Sequence, residues 1–289
     1  MKLDPQQFVF VPGNHDVCWP ACKRVEADQE ELQFGDLEFR RRVDGCKLKN
    51  FEDFVEQFQG VSDNRVSIVP NCGAFVEHFG DLGLSVAGLN SCEMESHRCE
   101  DHRGLISERQ AQAIMDYWRG SANDRCLKVI AVHHNPVATA PGNVKDWVKQ
   151  LEVMANKGEL KRDVFLRFAG DGVGLEGFER LRALSEDCEV QLLLHGHQHA
   201  SAQEAWTWRR GHKGVTQVLS AGSWGLGMSK LPQDEPNSMQ IVLLDPENGE
   251  LTARRIVYQP AARAPGVVRV GCFVSDPVNR AGYIGHLCV

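Results

Sequence analysis

The chain of 289 residues has no Cys-x-x-Cys pair, although it holds ten cysteines. That absence excludes a zinc ribbon and a thioredoxin-type redox motif. The thiols are scattered from Cys18 to Cys288, and several sit in apolar runs, where cysteine behaves as a small hydrophobe. No apolar run reaches the ~18 residues that a membrane helix needs. The start, Met1-Lys2-Leu3-Asp4-Pro5, has neither an apolar signal core nor a small-residue cleavage site. With so many unpaired thiols, the expectation is a cytoplasmic protein with no membrane association. An excess of basic charge is also missing: 32 Lys and Arg stand against 39 Asp and Glu, a net charge of -7. A nucleic-acid partner is therefore not expected. No repeat and no low-complexity tract is found.

An apolar share of 42% supplies a core of ordinary size. Phe8-Val9-Phe10-Val11 ends at Pro12-Gly13 and reads as a buried strand feeding a turn. From Lys23 to Gln59 the chain is charged. Its later apolar positions, Phe51, Phe54, Val55 and Phe58, keep the spacing of an amphipathic helix. Gly35 and Gly45 should break this stretch, which predicts solvated outer helices, with a lid as the alternative. Residues 74–79 and 84–89 read as a hairpin around Gly80-Asp81. Ser107 and Gln110 form a capping-box pattern for a helix to Trp118. Strands are expected at 127–132 and 190–194, and helices at 144–156 and 175–184. Four more strands follow, at 203–209, 215–220, 239–244 and 251–258. Alternating elements followed by strands predict a layered α/β domain over residues 1–260. Residues 261–289 lose periodicity and read as a linker or tail.

Three clusters carry chemistry. Gly13-Asn14-His15-Asp16 follows the first strand. Asn14 offers an amide oxygen, His15 can act as a ligand or a general acid, and Asp16 can orient that histidine. His133-His134-Asn135-Pro136 follows a second strand. Neighbours on an extended chain point oppositely, so His133 is taken as the ligand and His134 is expected to pack elsewhere. His195-Gly196-His197-Gln198-His199 closes a third strand. His197 and His199, two apart, should project together, while His195 turns away to a hydrogen bond in the core. Neutral imidazole and amide donors on tight turns suit a divalent transition metal. Trp206, Trp208 and Trp224 could stack a base, but aromatics in a strand-rich segment are more often core.

Taken in order, these motifs resemble the calcineurin-like metallophosphoesterase superfamily, and Leu89-Asn90-Ser91 with Ser220-Ala221-Gly222-Ser223 resemble its bacterial cyclic-nucleotide-phosphodiesterase-like branch. The resemblance covers roughly residues 8–258. It implies a four-layer α-β-β-α sandwich of two mixed sheets, and two Mn, Fe or Zn ions about 3.5–4 Å apart. Asn14, His133 and His197 would bind one ion and His199 the other. His15 would serve as the general acid, with Asp16 orienting it. The substrate implied is a phosphate mono- or diester of a small molecule or a nucleotide.

The family also carries an Asp-x-His motif and a Gly-Asp-x-x-Asp motif that bridges the ions, both before Gly-Asn-His-Asp. Neither occurs in this sequence. Two dications held only by neutral ligands would repel one another without compensation. The expectation is therefore one ion, on an N-terminally truncated version of the fold. Two functions follow: a phosphodiesterase-like hydrolase that is incomplete as given, or a catalytically inactive remnant of the fold kept as a binding module.

Overall fold

The structure is a computed structural model that describes residues 3–33, 35–60, 65–69, 72–98, 101, 104–120, 126–136, 175–197, 199, 202–208, 214–223, 236–245, 250–259 and 272–283. Among the described residues, five α-helices run over Trp19–Leu32 (α1), Asp36–Asp44 (α2), Lys49–Gln59 (α3), Glu108–Gly120 (α4) and Phe178–Asp187 (α5). The strands are Arg65–Val69 (β1), Ala74–Phe79 (β2), Leu84–Gly88 (β3), Leu127–Ala131 (β4), Leu192–His195 (β5), Ala202–Thr207 (β6), Val215–Ser220 (β7), Ser238–Asp245 (β8), Glu250–Gln259 (β9) and Cys272–Tyr283 (β10).

A mixed sheet of seven strands, in the order β1-β2-β3-β4-β5-β7-β6, forms the centre. β3, β4, β5 and β7 are parallel, and antiparallel partners close both edges. Residues alternate between the two faces of a strand, and both faces are covered. On one, Ile130 and Leu193 pack with Ile114 and Trp118 of α4 and with Leu181 and Leu184 of α5. The Trp118 indole N–H donates to Ser85 Oγ at 2.8 Å, so its polar edge is satisfied inside the core. On the other face, Val129, Leu192 and Leu219 meet Leu251 and Ala253 of β9, with Val242 and Leu244 of β8 beside them. The second sheet, β10-β9-β8, is antiparallel. The α/β architecture with a large mixed sheet is as expected. The described layers are helix, sheet and sheet, and the outward residues Ile241 and Leu243 of β8 are exposed.

The predicted strand at 8–11 does not form, because no described strand lies alongside it. Its aromatic rings turn to α3 instead. Phe8 meets Phe58 edge-on at 5.3 Å, and Phe10 meets Phe54 at 5.4 Å. The predicted helix at 144–156 and Trp224 lie outside the described residues. The helix expected at 175–184 starts at Phe178, after Gly177, whose φ of 87° suits only glycine. Trp206 is core and Trp208 donates to Thr216 Oγ1 at 2.9 Å, so neither is presented for base stacking. Residues 272–283, read from sequence as tail, pair with β9.

The charged stretch 23–59 forms α1 to α3, with Gly35 and Gly45 at the breaks as expected. It is not merely a solvated surface. Cys22, Val25, Phe39 and Val43 pack with Leu48 and with Cys92 beyond β3. Arg40 clamps Asp101 through two hydrogen bonds of 2.8 and 3.1 Å, and Arg98 bonds Glu26 at 2.8 Å. These contacts lock α1 and α2 to the segment 91–101.

One buried group works against the fold. Glu77 on β2 is fully buried and neither carboxylate oxygen has a hydrogen-bond partner. Burial pushes its pKa up, and Arg65 across the strand pair opposes that rise only in part. A group whose folded pKa is raised adds stability at low pH and loses it as pH climbs through the folded value. Replacing Glu77 by methionine should therefore stabilise the protein by about 1 kcal/mol at pH 7, with a smaller gain at pH 4. Urea unfolding at the two pH values tests this, and a loss of stability at pH 7 would refute it.

Candidate metal centre

Parallel neighbours in a sheet lie about 4.8 Å apart, so the carboxyl ends of β3, β4, β5 and β7 form one rim. In open α/β sheets ligands gather at such a rim. Here β3 delivers Asn90-Ser91, β4 delivers His133-His134, and β5 delivers His195 to His197. The backbone ladder continues past the strands. Val132 N–H donates to Leu194 C=O at 3.0 Å, and Gly196 N–H donates to His133 C=O at 3.0 Å. Histidines some sixty residues apart in sequence are thereby set side by side.

The ligand atoms of His133, His134 and His197 all lie within 4.8 Å of one another. His197 Nδ1 is 3.2 Å from His133 Nε2, and Asn14 Oδ1 is 2.9 Å from the same nitrogen. Asn14 reaches the rim from a tight turn, Asn14–Asp16, entered through Gly13. A Cβ at Gly13 would sit 2.8 Å from the His133 ring, so only glycine permits the close approach. Asp16 Oδ2 accepts from Gly13 N–H at 2.8 Å, so this carboxylate closes the turn rather than orienting His15. His15 itself is exposed. His199 is half-buried and feels the charge of His15, as does His133. The structure thus brings Asn14, His133 and His197 into contact, while His15 is exposed and His199 half-buried outside that set.

Three local expectations fail. His197 and His199 have φ values of 73° and 56°, so the segment is bent into the left-handed region rather than extended. Such strain in non-glycine residues collects at functional sites. His195 turns away as expected, but its buried Nδ1 has no hydrogen-bond partner, and burial pulls its pKa to about 4. His134 is the residue that sequence reasoning misplaced. Its ring is buried 4.4 Å from that of His197. The extended chain ends at Val132, so the alternation rule no longer separates the two neighbouring histidines. The Asn135-Pro136 pair was the signal that the strand stops.

Burial and the neighbouring imidazoles push the His133 pKa down to about 2. Burial and His134 bring His197 to about 3, against a partial opposing pull from Glu95. Both rings are therefore neutral, the form that ligates a metal. Donors bonded to one ion at about 2.1 Å stand roughly 3.0–3.4 Å apart, close to the separations seen here. Neutral nitrogen and amide-oxygen donors in a buried cluster fit one divalent transition-metal ion.

A 360 Å³ groove between α3 and β1 lies apart from these histidines and is lined by Phe51, Glu52, Val55, Glu56, Arg65 and Phe75. Its two carboxylates make it a poor phosphate site.

Without metal, the low folded pKa values make stability full above the unfolded value of about 6.5. It should then fall steadily as pH drops from 6.5 towards 3, because the unfolded chain takes up the protons first. Thermal melts of the metal-free protein across that range test this, and the slope should flatten in His133→Gln. An unchanged slope would contradict the neutral-cluster assignment.

None of the curated proteins compared with the chain matches it. A family model, calcineurin-like phosphoesterase, matches residues 1–201, a span that holds Asn14 and all the clustered histidines. That span covers more than two thirds of the sequence and ends just past the last histidine motif. The chain accordingly belongs to the calcineurin-like phosphoesterase family, whose members hydrolyse phosphoesters with bound metal ions.

Proposed function

We propose that the chain is a metal-dependent phosphodiesterase-like hydrolase acting on a phosphorylated small molecule or nucleotide. The observation that carries this reading is the contact of Asn14 Oδ1, His133 Nε2 and His197 Nδ1 at 2.9 and 3.2 Å, on the rim where the family motifs converge. Those three residues would hold one ion, of Mn, Fe or Zn type, and His199 would face a second. A bound ion supplies Lewis acidity to the phosphoryl oxygens and lowers the pKa of a bound water. His15, exposed at the mouth, is the group for protonating the leaving alkoxide. Asp16 serves it indirectly by closing the turn through Gly13.

The choice of diester over monoester rests on the resemblance of Leu89-Asn90-Ser91 and Ser220-Ala221-Gly222-Ser223 to the cyclic-nucleotide branch. A cytoplasmic location is part of the same proposal. No helix among the described residues is long and apolar enough to cross a membrane, and Cys18, Cys22, Cys46, Cys72, Cys92 and Cys126 are free thiols.

One observation favours a second reading. Asn14, His133 and His197 are neutral donors, and neutral donors alone can hold metal and nucleotide without turnover. Hydrolysis of bis(p-nitrophenyl) phosphate by manganese-loaded protein separates the two. Turnover is expected, with His133→Ala losing both metal and activity. His15→Ala should keep the metal and lose about 10²–10⁴-fold in kcat. Bound metal without turnover would establish the binding-module reading instead.

A further inference from the structure

Both histidines that follow β4, His133 and His134, reach the cluster. His134 Nδ1 lies 2.8 Å from Ser91 Oγ, and the His134 backbone N–H donates to the same oxygen at 3.1 Å. A hydroxyl can accept both hydrogens. In the Nδ1–H tautomer, Ser91 holds the ring and the Nε2 lone pair faces the cluster. Nε2 stands 3.6 Å from Glu95 Oε1. That is too long for a hydrogen bond and close to the spacing of two groups around one ion.

Glu95 is only 2% exposed, so its carboxylate is buried beside the histidine cluster. Its place is built rather than incidental. Glu95 N–H donates to Cys92 C=O at 3.0 Å, Lys47 Nζ donates to Glu93 C=O at 2.6 Å, and Arg40 reaches Met94 C=O at 3.4 Å. Gly104 clears the space for the ring, since a Cβ there would lie 2.5 Å from His134.

We infer that His134 is a third imidazole ligand of the metal ion, positioned by Ser91, with the Glu95 carboxylate beside it tuning the site. The inference rests on the site reading given above, and deepens it for this chain. A Ser91–His134–Glu95 line of this kind also resembles a hydrolytic triad, but Ser91 is wholly buried and has no access to substrate.

X-ray absorption spectroscopy of the zinc-loaded wild-type protein counts imidazoles without any mutation. Three in the first shell are expected, and two would overturn the inference while leaving Asn14, His133 and His197 as the site. No zinc bound would overturn both readings. Chelator competition gives an independent measure. His134→Ala and Glu95→Gln should each weaken zinc binding at least about tenfold, and Ser91→Ala by about 10–100-fold, the range for groups that orient a ligand. Wild-type affinity in His134→Ala and Glu95→Gln, with binding lost in His133→Ala, would refute the inference alone. If a variant fails to fold, the wild-type imidazole count decides.

Discussion

The ligand atoms of three imidazoles lie within 4.8 Å of one another, and this crowding keeps His133 and His197 neutral. This constraint governs the rest of the structure. Burial and the neighbouring rings make a charge on either costly, which is why the His133 pKa falls to about 2. Without a cation the arrangement is costly, because several nitrogen lone pairs face one another. With a cation the same lone pairs become ligands. The protein keeps the costly geometry through the parallel ladder β3-β4-β5-β7, whose strands are sandwiched between α4 and α5 on one side and β8 and β9 on the other.

Two further devices hold the rim. From below, glycines make room: Gly13 under His133 and Gly104 against His134 are places where a methyl group would collide with a ring. From the side, α1 and α2 are pinned to the segment 91–101 by the Arg40–Asp101 pair, the Arg98–Glu26 pair and the apolar cluster around Phe39. The Arg40–Asp101 pair is worth more than an exposed one, since Asp101 is buried and both guanidinium nitrogens are used. A stretch that looks like charged surface in sequence is thus the buttress for Ser91 and Glu95.

Much of the fold was legible. β2 and β3 around Gly80-Asp81, α4 behind Ser107, and β4, β5 and β7 all stand where periodicity and turn residues put them. The misses share a cause. Phe8–Val11 has strand composition but lacks a neighbour to pair with among the described residues, and pairing is a property of the sheet rather than of the segment. At the site, Asn14, His133 and His197 were legible because each follows a strand and a turn. His134 was sent the wrong way by a rule that holds only while the chain stays extended. Glu95 carried no signal at all, because nothing local marks a glutamate that the tertiary fold will bury beside His134.

By itself, the sequence determined which chemistry was on offer: neutral nitrogen and amide donors on three tight turns, with no Asp-x-His or Gly-Asp-x-x-Asp carboxylate among them. Those are properties of residue type and local spacing. Only the tertiary structure decided which donors meet, since residues 14, 91, 95, 133, 134 and 197 are joined by strand order and by the approach of separate loops. Distance in space between such groups is set by the sheet, and no local pattern encodes it.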